Sequence, residues 1–378
     1  MSLKLSHSSM NDYQTCPKMY EYKRVHKLVS KSKGSALFFG SAIDLALNYL
    51  LENKDAKNLK EVIAESIRIF DVNWEQAKDN EYKLIDLPRN PNIKYSKYDF
   101  DPDLLEKEDW KELFALNSNP IEHRNSIQSK LSNQDFLDLP EDERSFYNYG
   151  SWLSCKRRAK YLIEAYAEQI LPEIKKVIAV QMDIKLDDGE GNMLNGVIDL
   201  VGQLPDGRIA ILDNKTSSME YEEDSVLTSP QLALYKKQLN MFNEDPDNQW
   251  KHKIDCAGFL VLSKKLNKDI TKTCKSCGHI ATGSHKTCDN TVNGKRCGGE
   301  WDKVKKFSVN TQIIIDSIDE HVQDMILSNA DTIKICIQSK LFPQNFNSCI
   351  NKYGMKCDYY DLCWNKNSKN LIKLEDKK

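Results

Sequence analysis

The chain has 378 residues, 40% of them hydrophobic, with 54 Lys and Arg against 56 Asp and Glu and a net charge of −2. That much apolar material excludes a disordered protein and fills two or three domains, or one core with large insertions. The near-neutral balance excludes a globally basic nucleic-acid binder, so a polyanion would have to be met by local patches and metal ions. In chain order, residues 8 to 29 read as helical, with Ser8 or Ser9 as N-cap and Pro17 limiting the run. Helices follow over residues 36 to 52 and near 57 to 78. Residues 81 to 147 are rich in Asn, Asp, Pro and Lys with weak periodicity, and read as an insertion or peripheral subdomain. A helix from Trp152 to about Ile170 precedes strands at 176 to 186, at a hairpin near residues 196 to 217, and around 256 to 264. Ser229 caps a helix whose first residue is Pro230. A long helix over 311 to 339 is supported by Ile314, Ile318, Val322, Met325 and Ile333 near one face. No internal repeat is visible.

The hairpin poses a chemical question. Leu204-Pro205-Asp206-Gly207-Arg208 is a turn with Gly at a left-handed position, so Leu204 should pair with Arg208. Counting outward puts Asp199 opposite Asp213. Val197, Asp199 and Val201 then share a face with Ile209, Ile211, Asp213 and Lys215. Opposed carboxylates repel, more so when partly buried. The interleaved valines and isoleucines argue against a merely hydrated edge. Lys215 supplies one compensating charge, and a hard divalent cation with oxygen ligands answers the arrangement better.

No segment has the features of a secretory signal, so the chain is expected to stay inside the cell. The most apolar window, residues 36 to 51, is too short to span a bilayer and carries Asp44. Eleven cysteines in such a protein point to metal ligation rather than disulfides. Cys274 and Cys277 form a CxxC knuckle backed by Gly278; with Cys288 and Cys297 they make a four-thiolate set that suits structural Zn²⁺ in a ribbon. His279 and His285 then stand by. Flanking Lys272, Lys275, Lys286, Lys295 and Lys305 suit a phosphate-facing surface, although the ribbon could equally contact a partner or only fold. Further basic groups cluster at Lys18 to Lys33, at Lys156 to Lys160 and at Lys251 to Lys268; each alone is more often a solvated face. Cys155 and Cys256 read as core residues, and His7, His26, His123, His252 and His321 as surface or packing residues.

GVIDLV, the Asp213-Asn214-Lys215 triplet, and Gln231 and Tyr235 one turn apart together resemble the PD-(D/E)XK nuclease superfamily, in particular its RecB-like branch. The resemblance covers about residues 1 to 50 and 150 to 365. It implies a restriction-endonuclease-like α/β core, with a mixed central sheet flanked by helices. It further implies Asp199 and Asp213 as acidic ligands of Mg²⁺ or Mn²⁺, Lys215 as the motif lysine, and Gln231 and Tyr235 as the QxxxY helix. Asp44 stands where the branch usually has histidine and becomes a third metal ligand. Cys16, Cys349, Cys357 and Cys363 match the one N-terminal and three C-terminal cysteines that hold a [4Fe-4S] cluster in the branch, with Cys336 a nearby substitute for Cys349. The implied division is 1–50 helical part of the core, 51–150 insertion, 151–269 nuclease core, 270–303 zinc ribbon and 304–378 iron-sulfur cap. The implied activity is a metal-dependent DNA exonuclease in recombination, repair or phage DNA processing, cytoplasmic in a bacterial host or phage-encoded. A structure-selective or nicking endonuclease and a non-catalytic DNA-binding accessory protein are the alternatives. The chain has no GxxxxGK[ST] loop, so unwinding would need a helicase or recombination partner.

Overall fold

The computed structural model describes residues 3–76, 92–96, 99–116, 141–187, 192–244, 250, 252–282, 286–351 and 354–374. A short strand, β1 (Lys4–Ser6), enters helix α1 (His7–Thr15). Ser6 and Ser9 cap it reciprocally, at 3.3 and 2.7 Å, so the cap falls earlier than Ser8 or Ser9 would place it. The chain stays extended up to Ser6 because β1 is committed to a sheet. Cys16 interrupts the helix, Pro17 starts the next one, α2 (Pro17–Tyr20), and a wide helical turn follows over Glu21–Val25. The expected helix therefore stops short: residues Leu28–Ser30 form strand β2. Strand β3 (Ser32–Gly34) leads into α3 (Ser35–Glu52), followed by α4 (Leu59–Glu75).

Much of the stretch read as an insertion lies outside the described residues. Its described parts are strand β4 (Asn92–Lys94), which pairs with β3, helix α5 (Lys107–Leu116), and the start of α6 (Glu141–Ala165). They are not peripheral, because Ile93, Tyr95, Phe100, Leu113 and Phe146 enter the main apolar core. Helix α6 also begins well before Trp152.

The central sheet follows from β5 (Lys176–Asp187), β6 (Met193–Gln203), β7 (Ile209–Ser217), helix α7 (Pro230–Glu244) and β8 (Cys256–Cys274). Beyond β8 come strand β9 (Ile280–Thr282), a small hairpin of β10 (Thr291–Val292) and β11 (Lys295–Arg296), and strand β12 (Trp301–Asp316). Helix α8 (Glu320–Gln338), helix α9 (Tyr360–Asn365) and strand β13 (Leu371–Lys373) complete the described chain. The sheet order is β1-β6-β7-β8-β12, with β5 on the far edge of β6 and β9 beside β8. It is mixed: β1 runs parallel to β6 and β7 to β8, and the remaining pairs are antiparallel.

Alternating side chains feed two cores. Leu200, Leu212, Leu260 and Leu262 meet α3, α4 and α6 on one face. Val201, Ile211, Phe259 and Val261 meet α7 on the other. The sheet is thus a layer between helices. No helix of the described residues is long and apolar enough to cross a membrane.

Two expectations about the C-terminal half need correction. Strand β8 runs to Cys274, ten residues past the expected end, and pairs with β12 in a long two-stranded arm that closes at Trp301–Cys274. Residues 311 to 316 belong to β12, so Ile314 lies on a strand and the helix starts at Glu320 behind Asp319. The β-branched run Ile313–Ile314–Ile315 favours a pleated strand, and a helical period drawn through Ile314 and Ile318 was fortuitous. Met325 is half exposed, and the buried stripe of α8 is Gln323, Ala330, Ile333 and Ile337.

The arm is pinned to the sheet at Gly258, where a Cβ would lie 2.5 Å from the Ile314 carbonyl oxygen and 2.9 Å from Ile315 Cγ1. Gly258→Ala is expected to cost about 1–3 kcal/mol by overpacking against backbone. Gly40→Ala, in α3 with nothing within 4 Å of the new Cβ, should instead stabilise by about 0.5–1 kcal/mol. Denaturant midpoints of the two variants check both signs.

Candidate active site and metal centres

The hairpin between β6 and β7 turns as its residues require. The Leu204 N–H donates to the Arg208 carbonyl at 2.9 Å, and Gly207 takes φ 94°. Pairing then runs from Gln203–Ile209 to Leu200–Leu212 and stops, one step before Asp199 would face Asp213. Strand β7 continues beside β8 as far as Ser217, while β1 takes the edge of β6 at residues 193–195. Asp199 and Asp213 therefore stand at the fork where β6 and β7 part. The Asn214 backbone N–H donates to Asp199 Oδ2 at 3.0 Å in place of a ladder bond. One expected detail fails here: Val197 is 45% exposed and Ile198 is buried, because the alternation of faces slips at Asp199.

Asp213 is buried, and its partners come from its own strand and from α7. Gln231 Nε2 donates to Asp213 Oδ1 at 2.8 Å, and Lys215 Nζ lies 2.5 Å from Asp213 Oδ2 and donates to Gln231 Oε1 at 3.2 Å. Gln231 also reaches the Tyr235 hydroxyl at 3.3 Å. Helix geometry makes this possible: Ser229 Oγ accepts the Leu232 N–H, Pro230 opens the first turn, and residues four apart share a side. Tyr235 packs over Gly196, where a Cβ would come within 3.0 Å of its ring. A larger residue there would push the helix off the fork.

Asp44 projects from α3 toward the same point. Burial, then the Asp199 and Asp213 charges, push its carboxyl up to about 7. Burial and Asp213 push Asp199 up to about 6, against the Asn214 N–H, Lys215 and Gln181. Burial also raises Asp213, with the Lys215 ammonium opposing. For Lys215, burial works downward but the Asp213 carboxylate outweighs it, so the ammonium is held charged. The structure thus brings together Asp44, Asp199, Asp213, Lys215, Gln231 and Tyr235. A divalent cation fits this donor set: among the described residues, three buried acids share one lysine.

Two neighbours escaped the sequence reading. His7, at the start of α1, feels the Lys215 and Asp213 charges; burial and Lys215 lower its pKa. Gln181 donates to Asp199 Oδ1 at 3.3 Å. Sequence spacing carries no sign of His7, which lies some two hundred positions from its neighbours; for Gln181 the signal was a polar residue interrupting VIAVQMDI.

The cysteines form two groups. Sγ atoms of Cys274, Cys277, Cys288 and Cys297 all lie within 4.8 Å of one another, with Cys274–Cys297 at 3.6 Å and Cys277–Cys288 at 3.7 Å. Ligands about 2.3 Å from a tetrahedral ion sit about 3.8 Å apart, so this shell fits one metal ion. It caps the tip of the β8–β12 arm. The β10–β11 hairpin, turning at Asn293 and Gly294 with positive φ, spaces Cys288 from Cys297. His279 supplies no fifth ligand to that shell, and His285 lies outside the described residues.

Cys16, Cys349, Cys357 and Cys363 converge where the chain ends meet. Cys363 senses Cys16 and Cys349, and Cys357 senses Cys16 and Cys363. Backbone N–H groups of Asn345 and Tyr359 point at Cys16 Sγ (3.4 Å) and Cys357 Sγ (3.5 Å), and the Gln344 amide at Cys349 Sγ (3.8 Å). Donors aimed at sulfur suit thiolates holding a cluster. Cys336 sits beside Tyr13 in an apolar cluster.

A fork in a mixed sheet that holds an acidic pair and a lysine, covered by a Gln–Tyr helix, defines a class of phosphodiester-cleaving fold. Residues 110–327, more than half of the chain, match the family model of the PD-(D/E)XK nuclease superfamily, and the chain belongs to it. It is also similar to one of the subunits of the ATP-dependent helicase/deoxyribonuclease of Streptococcus pyogenes, from serotype M12 (strains MGAS2096 and MGAS9429) and serotype M28 (strain MGAS6180). Identity is 28% over 131 residues in each, covering 30% of this chain and 12% of the relative. The chain thus matches only a small part of those relatives.

The raised carboxyls carry a sign. Between about pH 4 and 7 the folded chain keeps protons on Asp44 and Asp199 that the unfolded chain has lost, so their contribution falls as pH rises through about 6 to 7. In protein free of Mg²⁺ and Mn²⁺, Asp44→Asn should raise the thermal midpoint more at about pH 7.5 than at about pH 5.5. An equal effect at both would show that Asp44 does not titrate in this window.

Proposed function

We propose that the chain is a metal-dependent deoxyribonuclease that acts as an exonuclease on DNA ends. The observation that supports this most is the closed set Asp213–Lys215–Gln231 beside Asp199 and Asp44, at an open fork of the sheet. Asp199, Asp213 and Asp44 would hold Mg²⁺ or Mn²⁺ through carboxylate oxygens. A bound ion supplies Lewis-acid polarisation of the scissile phosphate and a lowered pKa for the attacking water. Lys215, kept protonated by Asp213, is the fixed positive charge for the extra negative charge of the transition state. Gln231 fixes both Asp213 and Lys215, and Tyr235 in turn braces Gln231.

The same reading assigns Zn²⁺ to Cys274, Cys277, Cys288 and Cys297, and a [4Fe-4S] cluster to Cys16, Cys349, Cys357 and Cys363. It keeps the nuclease core, zinc ribbon and iron-sulfur cap as units of the chain. The name of the relatives, which describes part of a helicase/deoxyribonuclease, supports a helicase partner. The reading further places the chain in DNA recombination or repair, in the cytoplasm of a bacterial host or encoded by a phage.

End-labelled linear DNA and closed circular DNA, each incubated with Mg²⁺ or Mn²⁺, test the activity. Loss of linear DNA alone is expected; cut circles would favour an endonuclease, and retardation without cutting a binding protein. Asp213→Ala and Lys215→Ala should each lower cleavage by about 10³-fold or more with an unchanged circular dichroism spectrum. Wild-type cleavage by either variant would overturn the assignment. Metal analysis of protein purified without oxygen should find zinc and iron in a brown solution; a colourless, iron-free preparation would remove the cluster.

A further inference from the structure

We propose that Gln181 is a positioning residue for Asp199: its side-chain amide, carried on a left-handed break in β5, fixes the carboxylate that faces the metal ion. The inference rests on the metal site proposed above. Strand β5 pairs with β6 at Val180–Leu200 and at Met182–Ile198, but the intervening residues Gln181 and Asp199 form no ladder pair. Gln181 there takes φ 50°, a conformation that side-chain-bearing residues adopt rarely and at a cost.

Glycine is the residue that such a backbone favours. An exposed glutamine in its place has a use only if its amide is needed. That amide donates to Asp199 Oδ1 at 3.3 Å and lies 3.5 Å from Asn48 Oδ1. Asn48 sits one turn beyond Asp44 on α3, so Gln181 links the two elements that bring Asp44 and Asp199 together.

The consequence is geometric. Asp199 Oδ2 is held by the Asn214 N–H and Oδ1 by Gln181, so the carboxylate plane is set from both sides. Each oxygen keeps a free lone pair for the ion. Asp213 is treated the same way by Gln231. Two glutamine amides, one from β5 and one from α7, thus orient the two acids of the fork. Outer-shell donors of this kind tune metal affinity about 10- to 100-fold.

Two variants separate positioning from structure. Gln181→Met keeps length and backbone strain but has no donor; Gln181→Gly removes donor and strain together. Calorimetric titration with Mn²⁺, using the purified protein with its cysteine sites filled and Asp213→Ala as the blank, should show binding weakened about tenfold in both variants. The thermal midpoint without Mn²⁺ should be unchanged in Gln181→Met and unchanged or raised in Gln181→Gly. Wild-type Mn²⁺ affinity in either variant overturns the proposal. So does a fall in the metal-free midpoint of Gln181→Met, which would make the residue structural. If the wild type shows no Mn²⁺ uptake that Asp213→Ala abolishes, the metal site itself falls, a result distinct from both.

Discussion

Among the described residues, three carboxyl groups crowd one fork of the sheet, and a single lysine stands among them. Every feature of the site can be understood from that imbalance. Asp213 is almost wholly buried, and Asp44 and Asp199 are shielded enough that their carboxyls hold protons well above the ordinary range. Such an arrangement works against folding, because buried like charges gain nothing from each other. The stabilising free energy has to come from elsewhere, from the two apolar clusters that sandwich the sheet. A core assembled for stability alone would have placed valine or isoleucine at these strand positions. Local rules broken in an otherwise consistent fold mark a site under functional constraint.

The fork is a product of topology. Strand β7 follows β8 in parallel while β6 turns away to pair with β1, so the sheet opens where its direction changes hands. Helix α7 lies against the opening with its N-terminal turn nearest, since Gln231 is its second residue. The N-terminal end of a helix carries partial positive charge, which favours an anionic group beside it. Lys215 and the helix end thus act in the same sense, both countering negative charge at the mouth of the fork. Gly196 is what allows the helix so close, because any side chain there meets Tyr235 and Gln238.

The parts of this site visible in the sequence are those set by short spacing. The hairpin register brings Asp199 next to Asp213, although the ladder ends at Leu200–Leu212 before they pair, and four residues of helix put Gln231 beside Tyr235, so both could be counted along the chain. Val197 could not: it is exposed because the strands part at Asp199, a tertiary event that an alternating pattern does not encode. His7 belongs to the same category, since its neighbours Asp213 and Lys215 lie some two hundred positions away. The helix expected over 311 to 339 failed for another reason. Ile314 and Ile318 satisfy a helical period by coincidence, while the branched run from Ile313 to Ile315 and its long pairing with β8 decide for strand. The cysteine spacings were legible as a set; that Cys336 lies beside Tyr13 was not, because it depends on which face of α8 meets α1.

The chain ends are joined by more than thiols. Tyr13 donates to the Leu341 carbonyl at 2.6 Å, Tyr359 to that of Leu28 at 2.7 Å, and the Asn345 side chain to that of Thr15 at 2.9 Å. Strands β2 and β13 add an antiparallel pair. Closing so long a loop is entropically expensive in the unfolded chain's terms, and several contacts that share one closure spread that cost among them. What they hold in place reaches the site. Strand β1 and helix α1 come directly before Cys16; β1 occupies the edge of β6 that β7 vacates, and α1 opens with His7 facing Asp213 and Lys215. The segment that carries Cys16 and the segment that borders the acidic fork are therefore one continuous stretch of chain, β1 through α1 to Cys16.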